Sequence, residues 1–247
     1  MTPRQLARQT RAALRGAANP LVAKSQGRFF KPWENISLYG LKTPEVRRIE
    51  RELYQCTRKS WQYAEALAFC DLLMRDRYLE GIAAGLGVLK RHHRKFEIGL
   101  MTVARAWLEA GFCDNWAATD DLSTGVLTKL LDRFENLAPQ FESWSGSPNL
   151  WVRRASAVVF VKPSRQGCHL DSAYRVVTRL LADDHDLIHK ASGWLLREAG
   201  KTNRARLERF LLEHGPAIPR TTVRYAIERF PESRRLKILE KTRRAPN

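Results

Sequence analysis

The chain has 247 residues, 44% of them hydrophobic and 28% charged, which excludes a disordered chain and leaves room for one extended domain or two compact ones. Lysine and arginine number 43 against 26 acidic residues, a formal charge of +17, and this points to a polyanionic partner such as nucleic acid; the plain alternative is a merely solvated basic surface. No apolar run is long enough to span a bilayer and no strong hydrophobic patch marks either end, so membrane binding is not expected.

The stretch Met1 to Ala18 is basic and weakly amphipathic, with Leu6 and Leu14 among arginines. It fits either an organelle-targeting peptide or a first helix ended by Asn19-Pro20, and without an apolar core it gives no support for secretion. Thr43-Pro44-Glu45 is a helix start, with Thr43 as the cap, Pro44 in the first turn, and Val46, Ile49 and Leu53 as the apolar stripe. The 3.6-residue period predicts further helices over about 61–74, 77–93, 96–110 and 114–134. Ser145-Gly146-Ser147-Pro148 is a loop before a helix that runs to about Val161 and is closed by Pro163 to Gly167. Helices then fit about 169–182, 186–199, 203–213, 219–230 and 232–243, with short connections and no alternating strand anywhere, so the fold is all-α.

Cys56, Cys70, Cys113 and Cys168 are scattered through helical segments, as for buried free thiols in a reducing cytoplasm. Cys168-His169 and His92-His93 lack the spacing that puts two ligands on one metal, so no metal site is expected. In the second half, Ala155, Ala191 and Ala226 recur every ~36 residues, each with a basic residue in or just before the same tripeptide. Small residues there let helices approach closely, and the basic residues would project from one side of a stack as a concave positive surface.

Two groups are candidates for chemistry. Trp116 and Asp120 lie one helical turn apart, which puts indole and carboxylate on one face; by spacing alone, a core tryptophan beside a surface acid is the more ordinary reading. Lys190, Trp194 and Arg197 share another face, where cations would neutralise phosphates and the indole would lie against sugar or base; an exposed tryptophan covered by basic stems is the alternative. Of Arg153 and Arg154, ~100° apart on a helix, the repeat favours Arg154 for the concave side. Trp107, Trp144 and Trp151 belong in the core. The adjacent acids Asp120-Asp121 and Asp183-Asp184 do not make acid/base dyads, and no phosphate-cradling glycine loop, nucleophile elbow or kinase motif is present.

At these residues the chain resembles the DNA alkylation repair family, the AlkD-like HEAT-repeat glycosylases. The resemblance runs from Asn19-Pro20 and the Tyr39 to Arg48 segment to the C-terminal helices. Its most specific pieces are Trp116 to Asp120, Trp151-Val152-Arg153-Arg154-Ala155, and Gly193 to Glu198 with Lys201-Thr202-Asn203 behind it. The resemblance implies a single-domain α-solenoid of HEAT-like repeats over residues 1–247, curved around duplex DNA. It implies hydrolysis of the N-glycosidic bond of N3- and N7-alkylated purines, in base excision repair, by a cytoplasmic monomer without metal or organic cofactor. Asp120 is then catalytic, Trp116 and Trp194 line the site, Arg154 and Arg197 contact DNA with Lys190, and Lys42 is DNA-proximal. Lesion recognition would proceed through the backbone without a dedicated base pocket.

Family members often carry a second tryptophan before the one at Trp116 and an aspartate after it, where this chain has Asn115 and Ala117. Asp121, one residue from the expected acid, should point away. Phe29-Phe30 and Trp33 match less closely and receive no role. The rival readings are a non-catalytic relative that binds distorted or branched DNA, and a protein-binding scaffold of the same fold.

Overall fold

The computed structural model describes residues 1–34 and 36–243; the last stretch of the expected domain, 244–247, lies outside the described residues. The chain is nearly all helical, and among the described residues there is no strand, only one parallel bridge between Ser37 and Tyr78. Its contacts divide it into two compact units, Met1–Phe134 and Glu135–Asn247.

The first unit begins with α1 (Pro3–Gly16), which absorbs the basic N-terminal stretch as a helix. Thr2 Oγ1 accepts from the Gln5 N–H while Gln5 Oε1 accepts from the Thr2 N–H, a reciprocal cap, and Leu6, Ala7, Thr10 and Leu14 turn inward. Asn19 caps α2 (Pro20–Gly27) at the Leu21 and Val22 N–H groups. The return segment is held by the buried Glu80, whose carboxylate accepts the N–H groups of Tyr39, Gly40 and Leu41 at 3.0, 2.7 and 3.1 Å. Gly40 has φ +85°, and a Cβ there would lie 2.1 Å from the Asn19 carbonyl oxygen, so only glycine fits.

Helix α3 (Thr43–Thr57) buries Val46, Ile49 and Leu53 as its stripe requires, but Thr43 is not its cap. Thr43 is the first helical residue, and the Glu45 carboxylate reaches back to the Lys42 N–H at 2.7 Å, supplying the capping acceptor from the third helical position. Helices α4 (Tyr63–Met74), α5 (Leu79–Leu89), α6 (Leu100–Glu109), α7 (Trp116–Leu122) and α8 (Thr128–Arg133) follow. Helix α5 is buried almost all round and packs on α3, α4 and α7; at Gly87 an added Cβ would meet Glu50 Cγ at 2.5 Å. The expected helix over 114–134 is interrupted by a π turn at Ser123–Leu127.

The second unit contains α9 (Ala138–Ser143), α10 (Leu150–Val158), α11 (Val161–Arg165), α12 (Leu170–Leu180), α13 (Asp186–Ala199), α14 (Arg204–His214), α15 (Arg220–Ala226) and α16 (Glu232–Lys241). Pro163 does not close a helix as expected; it sits inside the short α11, and the chain turns at Gly167 and His169, both at positive φ. Helix α13 packs on α10 and most extensively on α15, and Ala155, Ala191 and Ala226, one in each, are all buried. A Cβ on Gly193 would meet the Thr222 carbonyl oxygen at 2.8 Å, so small residues set the α13–α15 approach.

Trp107, Trp144 and Trp151 are in the core, as expected. Of the cysteines, Cys70 and Cys113 are buried free thiols, whereas Cys56 and Cys168 are exposed, because one lies on the outer side of α3 and the other in the loop before α12.

Candidate functional site

Helix α7 carries the first group of candidate residues, and its N-terminus is built by two polar side chains. Asn115, 1% exposed, accepts the Ala118 N–H at 2.9 Å through Oδ1. Glu34 is also buried and accepts the N–H of Trp116 at 3.0 Å and of Lys31 at 3.0 Å. Asn115, a departure from the family pattern, therefore acts as a cap that fixes where α7 begins.

Trp116, the first residue of α7, is half-buried; its indole stacks on Phe30 with centroids 5.3 Å apart and planes at 19°, and its Nε1–H donates to the Phe29 carbonyl at 3.4 Å. Asp120 follows one turn later, also half-buried. The π turn after it widens the backbone, and hydroxyls supply donors there: Ser123 Oγ to the Thr119 carbonyl, Thr124 Oγ1 to the Asp120 carbonyl and Thr128 Oγ1 to the Ser123 carbonyl, at 2.7, 2.8 and 3.1 Å. The backbone that carries Asp120 is thereby held on both sides.

A cavity of about 400 Å³ opens in this unit beside Trp116, and Phe29, Phe30, Trp116, Ala117 and Asp121 line one part of it. Arg47, Glu50, Glu80 and Lys90 also line it. Asp121 therefore does not point away from the aromatic group, contrary to expectation. Residues 117 and 121 are one turn apart and line the cavity together with Trp116. The Asp121 charge is felt in the core: burial first, and then Asp121, pushes the Cys113 thiol well above its ordinary value. Glu50 is buried and ion-paired with Lys90 at 3.4 Å and Arg91 at 3.8 Å. Lys42 is exposed at the start of α3.

The second group lies on α13. Trp194 is half-buried. Lys190 Nζ lies 2.7 Å from Asp186, whose carboxylate holds the ammonium above its usual pKa. Arg197 pairs with Glu228, which follows α15, and lies 3.5 Å from the buried Glu198. Arg154 is 5% exposed, and its Nη1 donates to the Leu187 carbonyl at 2.6 Å, joining α10 to α13. Arg153 pairs with Asp183 at 2.6 Å and donates to the carbonyls of Ser147 and Pro148.

The candidates thus fall in two sets, Lys42, Trp116 and Asp120 in the first unit and Arg154, Lys190, Trp194 and Arg197 in the second. Sequence reasoning missed Glu34 and Glu228, and it considered Asp121 only as an acid turned away from the site. The only signal for the first was an acid in an aromatic stretch; Glu228 meets Arg197 across 31 residues of chain and left none. Among the described residues no group of three or more His, Cys, Asp or Glu side chains is placed to hold a metal ion. No described helix is long and apolar enough to cross a membrane.

A family model described as "DNA alkylation repair enzyme" matches residues 10–230. No curated protein matches the chain. Among solved structures, one described as "Predicted DNA alkylation repair enzyme from Enterococcus faecalis" superposes with a TM-score of 0.76 at 16% identity, covering 87% of this chain and 97% of that one, a likeness of fold.

Proposed function

We infer the function from one premise: the chain belongs to the DNA alkylation repair enzyme family. We propose that it is a monofunctional DNA glycosylase that hydrolyses the N-glycosidic bond of cationic N3- and N7-alkylated purines in duplex DNA, with Asp120 as its catalytic carboxylate. The observation that carries this reading is the α7 arrangement: a carboxylate one turn from a half-buried tryptophan, on a helix whose start is fixed by Asn115 and Glu34.

An alkylated purine that already bears a positive charge leaves as a neutral base when the bond electrons pass into the ring, so no general acid is required. As that bond breaks, the deoxyribose gains oxocarbenium character, and a fixed anion beside it lowers the barrier while positioning the attacking water. Asp120 has this role. The Trp116 indole adds ~0.5–2 kcal/mol by attraction between its face and the cationic partner.

The second unit supports the DNA-contact part of the reading. Lys190 and Arg197 flank Trp194 on α13, so two cations and a flat ring are offered together, the mixture a phosphate and sugar surface requires. The family resemblance also assigns DNA contacts to Lys42, exposed at the start of α3 in the first unit, and to Arg154 on α10 in the second, where most of the guanidinium is buried. The net charge of +17 supplies the long-range attraction.

The test is release of free 7-methylguanine and 3-methyladenine from methylated duplex DNA, with Asp120→Asn as control. Release by the wild type alone supports the glycosylase and its carboxylate together. No release by either protein, with duplex binding retained, overturns it in favour of a non-catalytic relative that binds distorted DNA.

A further inference from the structure

Glu34 is a buried carboxylate, 4% exposed, whose two oxygens are taken by backbone N–H groups from distant parts of the first unit: Lys31 at 3.0 Å on Oε2 and Trp116 at 3.0 Å on Oε1. Burying a charge is costly unless it is well hydrogen-bonded. Capping α7 does not call for that cost, because Asn115 already caps it with a neutral amide oxygen at the Ala118 N–H. What the carboxylate adds is a link across 82 residues of chain. Lys31-Pro32-Trp33-Glu34 is a turn closed by the Glu34 N–H on the Lys31 carbonyl at 2.9 Å, with proline in its second place. Oε2 closes the same turn again from the Lys31 N–H, so the side chain is fixed within its own turn and presents its other oxygen to α7.

The segment that ends in this turn touches Trp116 at three points. Glu34 takes its backbone N–H, the Phe29 carbonyl accepts its indole Nε1–H at 3.4 Å, and Phe30 stacks on its ring with centroids 5.3 Å apart. A half-buried indole at a helix start has several staggered rotamers open to it, and holding backbone, ring edge and ring face together selects one. We propose that Glu34 is a positioning residue for base release, acting through Trp116: it straps the Phe29–Phe30 segment onto α7 and so fixes the indole one turn before Asp120. The proposal rests on the glycosylase reading for its reaction and goes beyond it by giving a function to a segment which that reading leaves unused. Glu34 itself touches no substrate. Its chemistry is specific all the same. A glutamine has one acceptor oxygen and turns an NH2 group towards the second N–H donor, so it can hold the turn or α7 but not both. The attraction between an indole face and a cation depends on where the face points, so a loosened Trp116 serves the transition state less well.

The test compares the full-length wild type with Glu34→Gln, Trp116→Phe and the double variant. Single-turnover release of 7-methylguanine from methylated duplex is expected to fall about tenfold in Glu34→Gln, with duplex affinity unchanged. In the Trp116→Phe background the same substitution is expected to cost less than about twofold, since the indole it serves is gone. In parallel, the indole N–H resonance of Trp116, assigned by its loss in Trp116→Phe, is expected to shift and to exchange faster with water in Glu34→Gln, while those of the other tryptophans stay in place and report an intact fold. Should Glu34→Gln not fold, Phe30→Leu, which removes the stacked ring and leaves the Glu34 hydrogen bonds, is expected to give the same two changes. Unchanged release, an equal fall in both backgrounds, or an unmoved Trp116 resonance overturns the proposal; an equal fall would make Glu34 a general support of the fold. Wild-type activity separates this from failure of the broader reading. With no release by the wild type the glycosylase falls, and the resonance then decides whether Glu34 positions Trp116.

Discussion

Helices α7 and α13 each present a half-buried tryptophan, but opposite charges surround the two indoles. Beside Trp116 stand carboxylates, Asp120 one turn along the helix and Asp121 on the cavity wall. Beside Trp194 stand cations, and each is matched within the protein: Lys190 by Asp186, Arg197 by Glu228 and Glu198. An indole with fixed anions suits a positively charged partner, and an indole with cations suits a phosphate. If α13 meets DNA as proposed, counting arginines overstates the grip, because a phosphate arriving there would replace an anion already present and the gain would be only the difference.

The sharpest way to break the comparison is at Asp120. Asp120→Asn keeps shape and removes charge, so base release is expected to fall by ~10²-fold or more while duplex affinity and its salt dependence stay as they were. A comparable loss of affinity would move Asp120 from catalysis to binding. Next in size is Arg154→Ala. The guanidinium is buried and bonded to the Leu187 carbonyl, so the variant is expected to lose ~1–3 kcal/mol of stability in urea unfolding. Weaker duplex binding at full stability would instead place Arg154 wholly at the DNA surface.

Smaller effects sharpen the α13 side. Glu228→Gln removes one of the two carboxylates beside Arg197, and the slope of log affinity against log salt is expected to steepen by less than ~1, whereas Arg197→Ala makes it shallower. Identical slopes in both variants would set Arg197 outside the interface. The smallest effect concerns acid stability. Arg175 donates to both oxygens of Glu142 and holds its carboxyl below its ordinary value of 4.5. A depressed folded-state pKa contributes stability that is complete above that value and is lost as pH falls through the lower one. Glu142→Gln therefore flattens the fall in melting temperature on acidification, while melting near neutral pH drops slightly; an unchanged acid limb would exclude this pair as a source of it.

Local chemistry made much of the fold legible. Helix α13 runs over Asp186–Ala199 as its apolar period predicts, the basic N-terminal stretch forms a helix that ends before Asn19-Pro20, and the alanines at 155, 191 and 226 are buried in mutually packed helices. Each of these rests on residues three to four apart, or on one residue's volume, which a linear sequence displays directly. The Thr43 cap failed because Glu45, three residues beyond Lys42, supplied a better-placed acceptor. The π turn after Asp120 was hidden because period alone does not register one extra residue within a continuous helix.

By itself the sequence determined that this protein is helical, strongly basic and equipped with a tryptophan and an aspartate one turn apart. Only the tertiary structure decided that Asp121 looks into a cavity, that Phe30 stacks on Trp116, that Glu34 caps α7 from 82 residues away, and that Glu228 holds Arg197. The physical reason is distance along the chain. Helical period and capping are set by neighbours within a turn, whereas which charge meets which, and which face of a helix finds open space, depends on how separate helices pack.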